Sequence, residues 1–193
     1  MKKIMFNDRY GLTQAVIEGR KTMAMMLINI KSTSDVQVRI FAGYVQIIGR
    51  SGDVCAEKKL SYKVGEVVAV AQRYQDIFDY SNCVNPYAWE DDDKPSGWTN
   101  KMLTKAELMP HQIRITGIKC ERLQDNSEED CMKEGILGDV EYDKYEVYGL
   151  FGNSDDGFDT PREAFASLID KVSGRGTWDR NPWVVVYEFE LVK

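Results

Sequence analysis

The chain has 193 residues, 43% hydrophobic and 29% charged, with a net charge of −6. That is the make-up of a globular protein long enough to bury a sizeable core. It contains no apolar run of the roughly 18 residues that a membrane span needs, and its overall acidity argues against a broad basic face for duplex DNA.

The N-terminus MKKIMFNDRYG carries two lysines but no apolar stretch of the kind a secretory signal has. A cytoplasmic protein with no membrane partner is the expectation. One domain over residues 1–193 is expected, with an insertion or flap at about 79–105. Charge is uneven along the chain: residues 1–63 hold eleven Lys/Arg against five Asp/Glu, and residues 121–163 hold four against fourteen. The first leaves room for a local basic patch. The second reads as a solvated surface. The cysteines Cys55, Cys83, Cys120 and Cys131 form no CxxC pair, and His111 is the only histidine. Spacing alone leaves three cysteines plus His111 open as ligands, but no metal and no cofactor is the expectation, with the thiols reduced.

In chain order, Lys2 to Phe6 reads as a short strand, and Asn7 or Asp8 as the cap of a helix starting near Tyr10. Leu12, Ala15 and Val16 share one helical face. Gly19 stands where a helix end tolerates a left-handed residue. Arg20 and Lys21 then sit beside the last carbonyls, where positive charge is favoured. Met23 to Ile30 is almost wholly apolar and reads as a buried strand. A lysine held between a helix end and that strand suits a binding or catalytic cation, and it is also an ordinary helix ending.

Lys31 to Asp35 reads as a turn. Val36 to Ile48 is strand-like, with Val36, Val38 and Ile40 alternating with polar residues, and Gly49 to Asp53 turns. Gly65 and Glu66 turn into a buried strand at Val67 to Ala71. Residues 79–100 lack periodicity and carry Pro86, Pro95, Trp89 and Trp98. Such a loop reads as a structured excursion or a functional flap. Ile113 to Ile118 alternates as a strand. Ser127 opens a short helix with acids in its first turn, stopping at Gly135. Tyr142 to Phe151 is strand-like. Thr160-Pro-Arg-Glu163 is the clearest helix start, with Phe165, Leu168, Ile169 and Val172 as the apolar face and Gly174 as the stop. Asn181-Pro-Trp183 breaks the chain before a final strand, Val184 to Val192, with Val184, Val186, Phe189 and Leu191 inward. The fold class is α+β. A small curved sheet or barrel with peripheral helices fits better than a doubly wound sheet, because regular βαβ spacing is missing.

Four segments together carry a family resemblance: Gly19-Arg20-Lys21, Tyr62-x-Val-Gly-Glu66-Val, the strand-then-helix of Ile113 to Ile136, and Asn181-Pro-Trp183-x-x-x-Tyr-x-Phe189. In this order they resemble the ASCH domain, in particular the larger ASCH proteins of bacteriophages and prophages. The resemblance covers most of the chain and implies a PUA-like pseudo-barrel with a cleft, related to RNA-binding PUA domains. The family's G-x-K-x-x-T-x-R pattern is met at Gly19 and Lys21, whereas its threonine and arginine positions hold Ala24 and Met26. Some compact members remove an acyl group from N4-acetylcytidine-type nucleosides with a lysine, a threonine and a glutamate. By that resemblance the lysine is Lys21 and the glutamate is Glu134. The threonine has no counterpart, so enzymatic activity is not favoured.

Three readings follow. The first is a binding module for single-stranded RNA or a modified nucleoside or nucleotide. It would use Arg20 and Lys21 for phosphate, Tyr62, Trp89 and Trp98 as aromatic walls, and Arg114 if it points into the cleft. The second is an amidohydrolase using Lys21 and Glu134. The third is an interaction protein with a degenerate site. The first two require the side chains of Lys21 and Glu134 to converge. The bland alternatives are a solvated helix acid at Glu134 and core packing for Trp178, Trp183 and the methionines.

Overall fold

The runs that read as buried strands do form the centre of the molecule. The structure, a computed structural model, describes residues 1–29, 36–77, 96–139, 143–150 and 157–192. Its order is β1 (Lys3–Ile4), α1 (Leu12–Ile17), β2 (Met23–Leu27), β3 (Gln37–Phe41), β4 (Tyr44–Ile48), β5 (Val54–Lys59), β6 (Val67–Val70), α2 (Tyr74–Ile77), β7 (Gln112–Arg122), α3 (Glu128–Lys133), β8 (Leu137–Asp139), β9 (Lys144–Glu146), α4 (Pro161–Ser173), α5 (Thr177–Arg180) and β10 (Trp183–Leu191). The protein is α+β, with a mostly sheet core and few helices. A five-stranded sheet runs β1-β6-β7-β10-β2, a three-stranded sheet β3-β4-β5, and a hairpin β8-β9. None of the three sheets closes on itself among the described residues.

The long antiparallel pair β7–β10 is the spine of the large sheet. Val184 to Tyr187 are all buried, so both faces of that stretch are covered and the sequence there is continuously apolar. A bulge between Glu188 and Phe189 resets the alternation. Beyond it Phe189 is buried while Leu191, expected inward, lies exposed at the strand's end.

Local signals explain most helix ends. Thr160 accepts a hydrogen bond from the Glu163 backbone N–H, and Pro161 opens α4. Ser127 does the same for Asp130 at α3. The Asn7 side chain accepts from Arg9 and holds a single turn, after which α1 starts at Leu12. Gly19 has a φ of 74°, the left-handed conformation expected after α1.

Two features depart from the sequence reading. Val36 to Ile48 is not one strand but a hairpin, β3–β4, in which Phe41 pairs with Tyr44. Its turn residues Ala42 and Gly43 have φ of 49° and 82°, the paired positive angles of a type I′ turn. Alanine carries no signal for that turn, which hides it. Strand β5 lies exposed along its whole length, so no hydrophobic alternation marks it. The expected turn at Lys31 to Asp35, the expected strand end at Ile30, and Tyr142, Phe151 and most of the 79–100 excursion lie outside the described residues.

Asparagine tolerates positive φ better than alanine, and Asn-Gly is the preferred pair for this turn. Ala42→Asn is therefore expected to stabilise the protein by about 0.5–1 kcal/mol, read as a higher urea midpoint at unchanged slope. A lower midpoint would show that the turn is not type I′.

Candidate functional site

The site begins with how the chain leaves α1. The backbone N–H groups of Arg20 and Lys21 both donate to the Ala15 carbonyl at 2.9 Å. Thr22 N–H then donates to the Lys133 carbonyl, and the Thr22 carbonyl accepts from Phe189, each at 2.9 Å. These bonds fix the backbone at Lys21 between the end of α1, the end of α3 and β10. The two consecutive cations part company there. Arg20 is on the surface and forms an ion pair with Glu18. Lys21 turns inward.

Across from it, α3 ends at Glu134. Gly135 follows with a φ of 99°, and a Cβ added there would touch Ala15, Leu12 and the Lys21 side chain at 3.4–3.5 Å. A glycine at this point both takes the positive φ and lets the helix end approach α1. The result is a buried ion pair. Lys21 Nζ donates to the Glu134 carboxylate through Oε2, and to the Glu134 main-chain carbonyl at 2.9 Å. The side chains are only 2% and 7% exposed. The Phe6 ring lies 5.7 Å from the ammonium, within range of a cation–π contact. Glu134 is thus not a solvated helix acid, and the two side chains converge as the first two readings require.

The second carboxylate oxygen, Oε1, is buried and has no hydrogen-bond partner among the described residues. Burial pushes the Glu134 carboxyl above the usual carboxylate range, opposed by Lys21 and by the Met25 backbone N–H on the free edge of β2.

Both residues line a cavity of about 160 Å³. Its walls come from Ile4 to Asn7, from Ala24, Met25 and Met26, and from α4 through Phe165, Leu168, Ile169 and Val172. β1 and β2 are opposite edges of the large sheet. The cavity therefore sits at the sheet's open seam, with α4 alongside. It is roughly the size that holds one aromatic ring, since an apolar cavity of about 150 Å³ takes up benzene. Ala24 forms part of the wall, so the position where the ASCH pattern places a hydroxyl faces the cavity and offers none.

The other expected ligand contacts lie elsewhere. Tyr62 is buried, donates its hydroxyl to the Lys3 carbonyl at 2.9 Å and packs edge-on against Tyr187. Burial, with the neighbouring Tyr187 and Glu66, pushes its pKa up to about 12. It is a core residue rather than a stacking wall. Arg114 alternates with the fully buried Ile113 and Ile115, so it faces solvent, paired with Glu190 at 3.0 Å. Arg20 lines a separate polar cavity of about 390 Å³ with Gln14, Glu18 and Tyr148. Trp98 is half-buried and does not line the cavity beside Lys21. Trp89 lies outside the described residues. Trp178 and Trp183 pack against the core.

What the sequence reading missed were the walls. Phe6 and the second half of α4 come together with Lys21 only through the tertiary fold, and their apolar spacing is that of any core. Among the described residues no group of three or more His, Cys, Asp or Glu side chains gathers as a metal site. Burial pushes the thiols of Cys120 and Cys131 up to about 11. No helix of the described residues is long and apolar enough to cross a membrane.

In comparisons with known proteins, no family model, no curated protein and no solved structure matches this chain.

Removing one partner of a buried pair strands the other. Lys21→Met is expected to cost about 3–5 kcal/mol near neutral pH, and Lys21→Met/Glu134→Leu to recover most of it. In the single variant the lone carboxyl has a folded pKa above its unfolded value. Its contribution is therefore fully present below the unfolded pKa of about 4.3 and is lost as pH rises through the folded pKa. Urea unfolding from about pH 4.5 to about pH 8 should show the deficit growing with pH. A deficit that is flat with pH would mean that Glu134 is not the stranded group.

Proposed function

We propose that this protein binds the base of a nucleoside, nucleotide or single-stranded RNA in the cavity beside Lys21, on a PUA-like scaffold of the ASCH type found in phages and prophages. The observation that carries this reading is the buried Lys21–Glu134 pair set in a mostly apolar cavity of ring size. The pair has little net charge. It offers an N–H donor on Lys21 beside a vacant acceptor, Glu134 Oε1. A nucleobase edge presents a donor next to an acceptor, and its faces suit walls such as Phe6, Phe165 and Met26. A phosphate is a poorer match, because the one buried cation among the described residues is already neutralised by Glu134. The open seam between β1 and β2, bridged by core packing rather than by a ladder, is compatible with a pseudo-barrel.

One observation favours a second reading, hydrolysis of an N4-acylated cytidine-type nucleoside. A carboxyl raised by burial beside a lysine is suited to general acid–base work. The chemistry then lacks a fixed hydroxyl, because Ala24 stands in the wall, and a water held by Lys21 and Glu134 would have to be the nucleophile. Met26 likewise leaves no second cation for an oxyanion. We therefore rank binding first. A scaffold with a relic cleft is what remains if the site takes no ligand.

Calorimetry with a panel of nucleosides, nucleotides and inorganic phosphate is the test, with N4-acetylcytidine turnover followed in the same samples. Saturable nucleoside binding is expected, lost by at least about tenfold in Lys21→Met/Glu134→Leu, which removes the polar pair but fills its space. Phosphate alone should bind no better to the protein than to that variant. Turnover by the unaltered protein would place hydrolysis first. Absence of both binding and turnover would leave the relic scaffold.

A further inference from the structure

The three-stranded sheet has an outer face that the cavity does not use. Across the β3–β4 turn, Phe41 and Tyr44 stand directly opposite each other, 61% and 41% exposed. Tyr44 is in turn opposite Lys59 on β5. Arg39, two residues before Phe41 and so on the same face, lies with its guanidinium 5.7 Å from the Phe41 ring. The opposite face of the same strands carries Val45 and Ile47, which are buried in the core. Two aromatic rings and two cations are thus displayed together on one outward face.

Surface aromatics beside cations are commonly neutralised locally, and here that is only partly so. Arg39 donates to Gln46, and Gln46 donates to Glu57, which ties up the one carboxylate on the strand. Among the described residues Lys58 and Lys59 pair with no carboxylate. Residues 36–63 hold five Lys/Arg against two Asp/Glu, a local excess of +3 on a chain that is −6 overall. At physiological salt the screening length is about 8 Å, so a polyanion meeting this face responds to the local charge more than to the whole.

The end of β5 comes close to the cavity through a small cleft on the sheet's inner side, where Val45 lies. Met26 lines the cavity beside Lys21, and it lines a second, small cleft together with Lys58, Lys59 and Ser61. A chain with one base at Lys21 would pass Met26 and reach β5.

We infer that the outer face of β3–β4–β5 is a platform for single-stranded nucleic acid, with bases stacked on Phe41 and Tyr44 and phosphates at Arg39 and Lys59. Exposed rings match unstacked bases, which a duplex does not present, and isolated cations match a flexible phosphate backbone. This deepens the reading of the cavity and rests on it for the choice of nucleic acid over other polyanions.

The test is fluorescence anisotropy with labelled oligouridylate and oligothymidylate of about ten nucleotides, at about 50 and about 200 mM salt. The whole chain binds in this scheme, and Phe41→Ala/Tyr44→Ala weakens binding by at least about tenfold at both salts. Lys59→Gln weakens it several-fold at low salt and flattens the log–log salt slope by about 0.7, the contribution of one phosphate on a single strand. All three positions are exposed, so thermal melts should be unchanged, and Lys59→Gln remains informative if the aromatic variant does not fold. Preference for one sugar over the other identifies the natural strand and supports the inference either way. The cavity variant Lys21→Met/Glu134→Leu separates the two proposals: it abolishes nucleoside binding while leaving oligonucleotide binding sensitive to Phe41 and Tyr44. Oligonucleotide binding indifferent to all three sheet positions, or no oligonucleotide binding at all, overturns the inference. So does a dimer that Phe41→Ala/Tyr44→Ala makes monomeric without any effect on oligonucleotides, which would make the face a self-interface.

Discussion

An ammonium and a carboxylate taken out of water must be satisfied by each other, and in this protein that requirement joins the two halves of the chain. Lys21 follows α1 and Glu134 ends α3, 113 residues later, and both are almost wholly buried. Separating them would leave either charge in an apolar cavity, at a cost of several kcal/mol. The junction of α1 with β2 and the end of α3 therefore hold one arrangement. The backbone bond from Thr22 to Lys133 and the close approach of Gly135 to Leu12 and Ala15 reinforce it. A hydrophobic pair of similar shape would hold the same elements together at lower risk. An ionic pair with one carboxylate oxygen left without a partner is a poor choice for stability alone. That is the physical reason to look for a ligand here rather than to treat the pair as cement.

The large sheet provides the space. Its edge strands β1 and β2 line one cavity without pairing, so the seam stays open and α4 lies along it. Had the ladder closed, backbone hydrogen bonds would fill the place where the cavity is. Apolar side chains on α4 and β2 instead line it. The site is thus a by-product of how the sheet curls, furnished by two residues at helix ends.

Much of this was legible in the sequence, and the reasons differ by residue. The caps at Ser127 and Thr160 and the left-handed Gly19 are local chemistry, and local chemistry reads directly from neighbouring residues. The run Val184 to Tyr187 is legible because double burial demands continuous apolarity. The hairpin at Ala42-Gly43 was hidden because the β3–β4 ladder holds an exposed alanine at positive φ, overriding its preference. Strand β5 was hidden because a fully exposed strand needs no hydrophobic pattern. At the site, Lys21 was marked by its place between a helix end and a buried strand, and Glu134 by the ASCH resemblance, whereas the residues around Glu134 had favoured a solvated acid. Tyr62 and Arg114 were misplaced for one common reason: a motif fixes a residue's position along the chain, whereas alternation and burial decide which way it points. Tyr62 points into the core, and Arg114 points out because Ile113 and Ile115 point in.

Ala24 and Met26 bear on the chemistry of the cavity through volume as well as polarity. Both contribute to the cavity wall. An arginine at position 26 would need its own counter-charge in a space where Glu134 is already engaged by Lys21, and burial would charge a heavy desolvation cost for it. Methionine fills the same region with a flexible apolar chain. Alanine at position 24 likewise brings no polar group that would have to be satisfied inside the cavity. Both residues make the wall apolar and leave Lys21 and Glu134 as the only charged groups lining the cavity among the described residues. Under the proposed binding, selectivity would rest on a neutral donor–acceptor contact in mostly apolar surroundings. Under the proposed reading that combination favours a ring bearing an amide-like edge over a free anion, and a longer ligand would carry its phosphates outside, near Lys58 and Lys59, which pair with no carboxylate among the described residues.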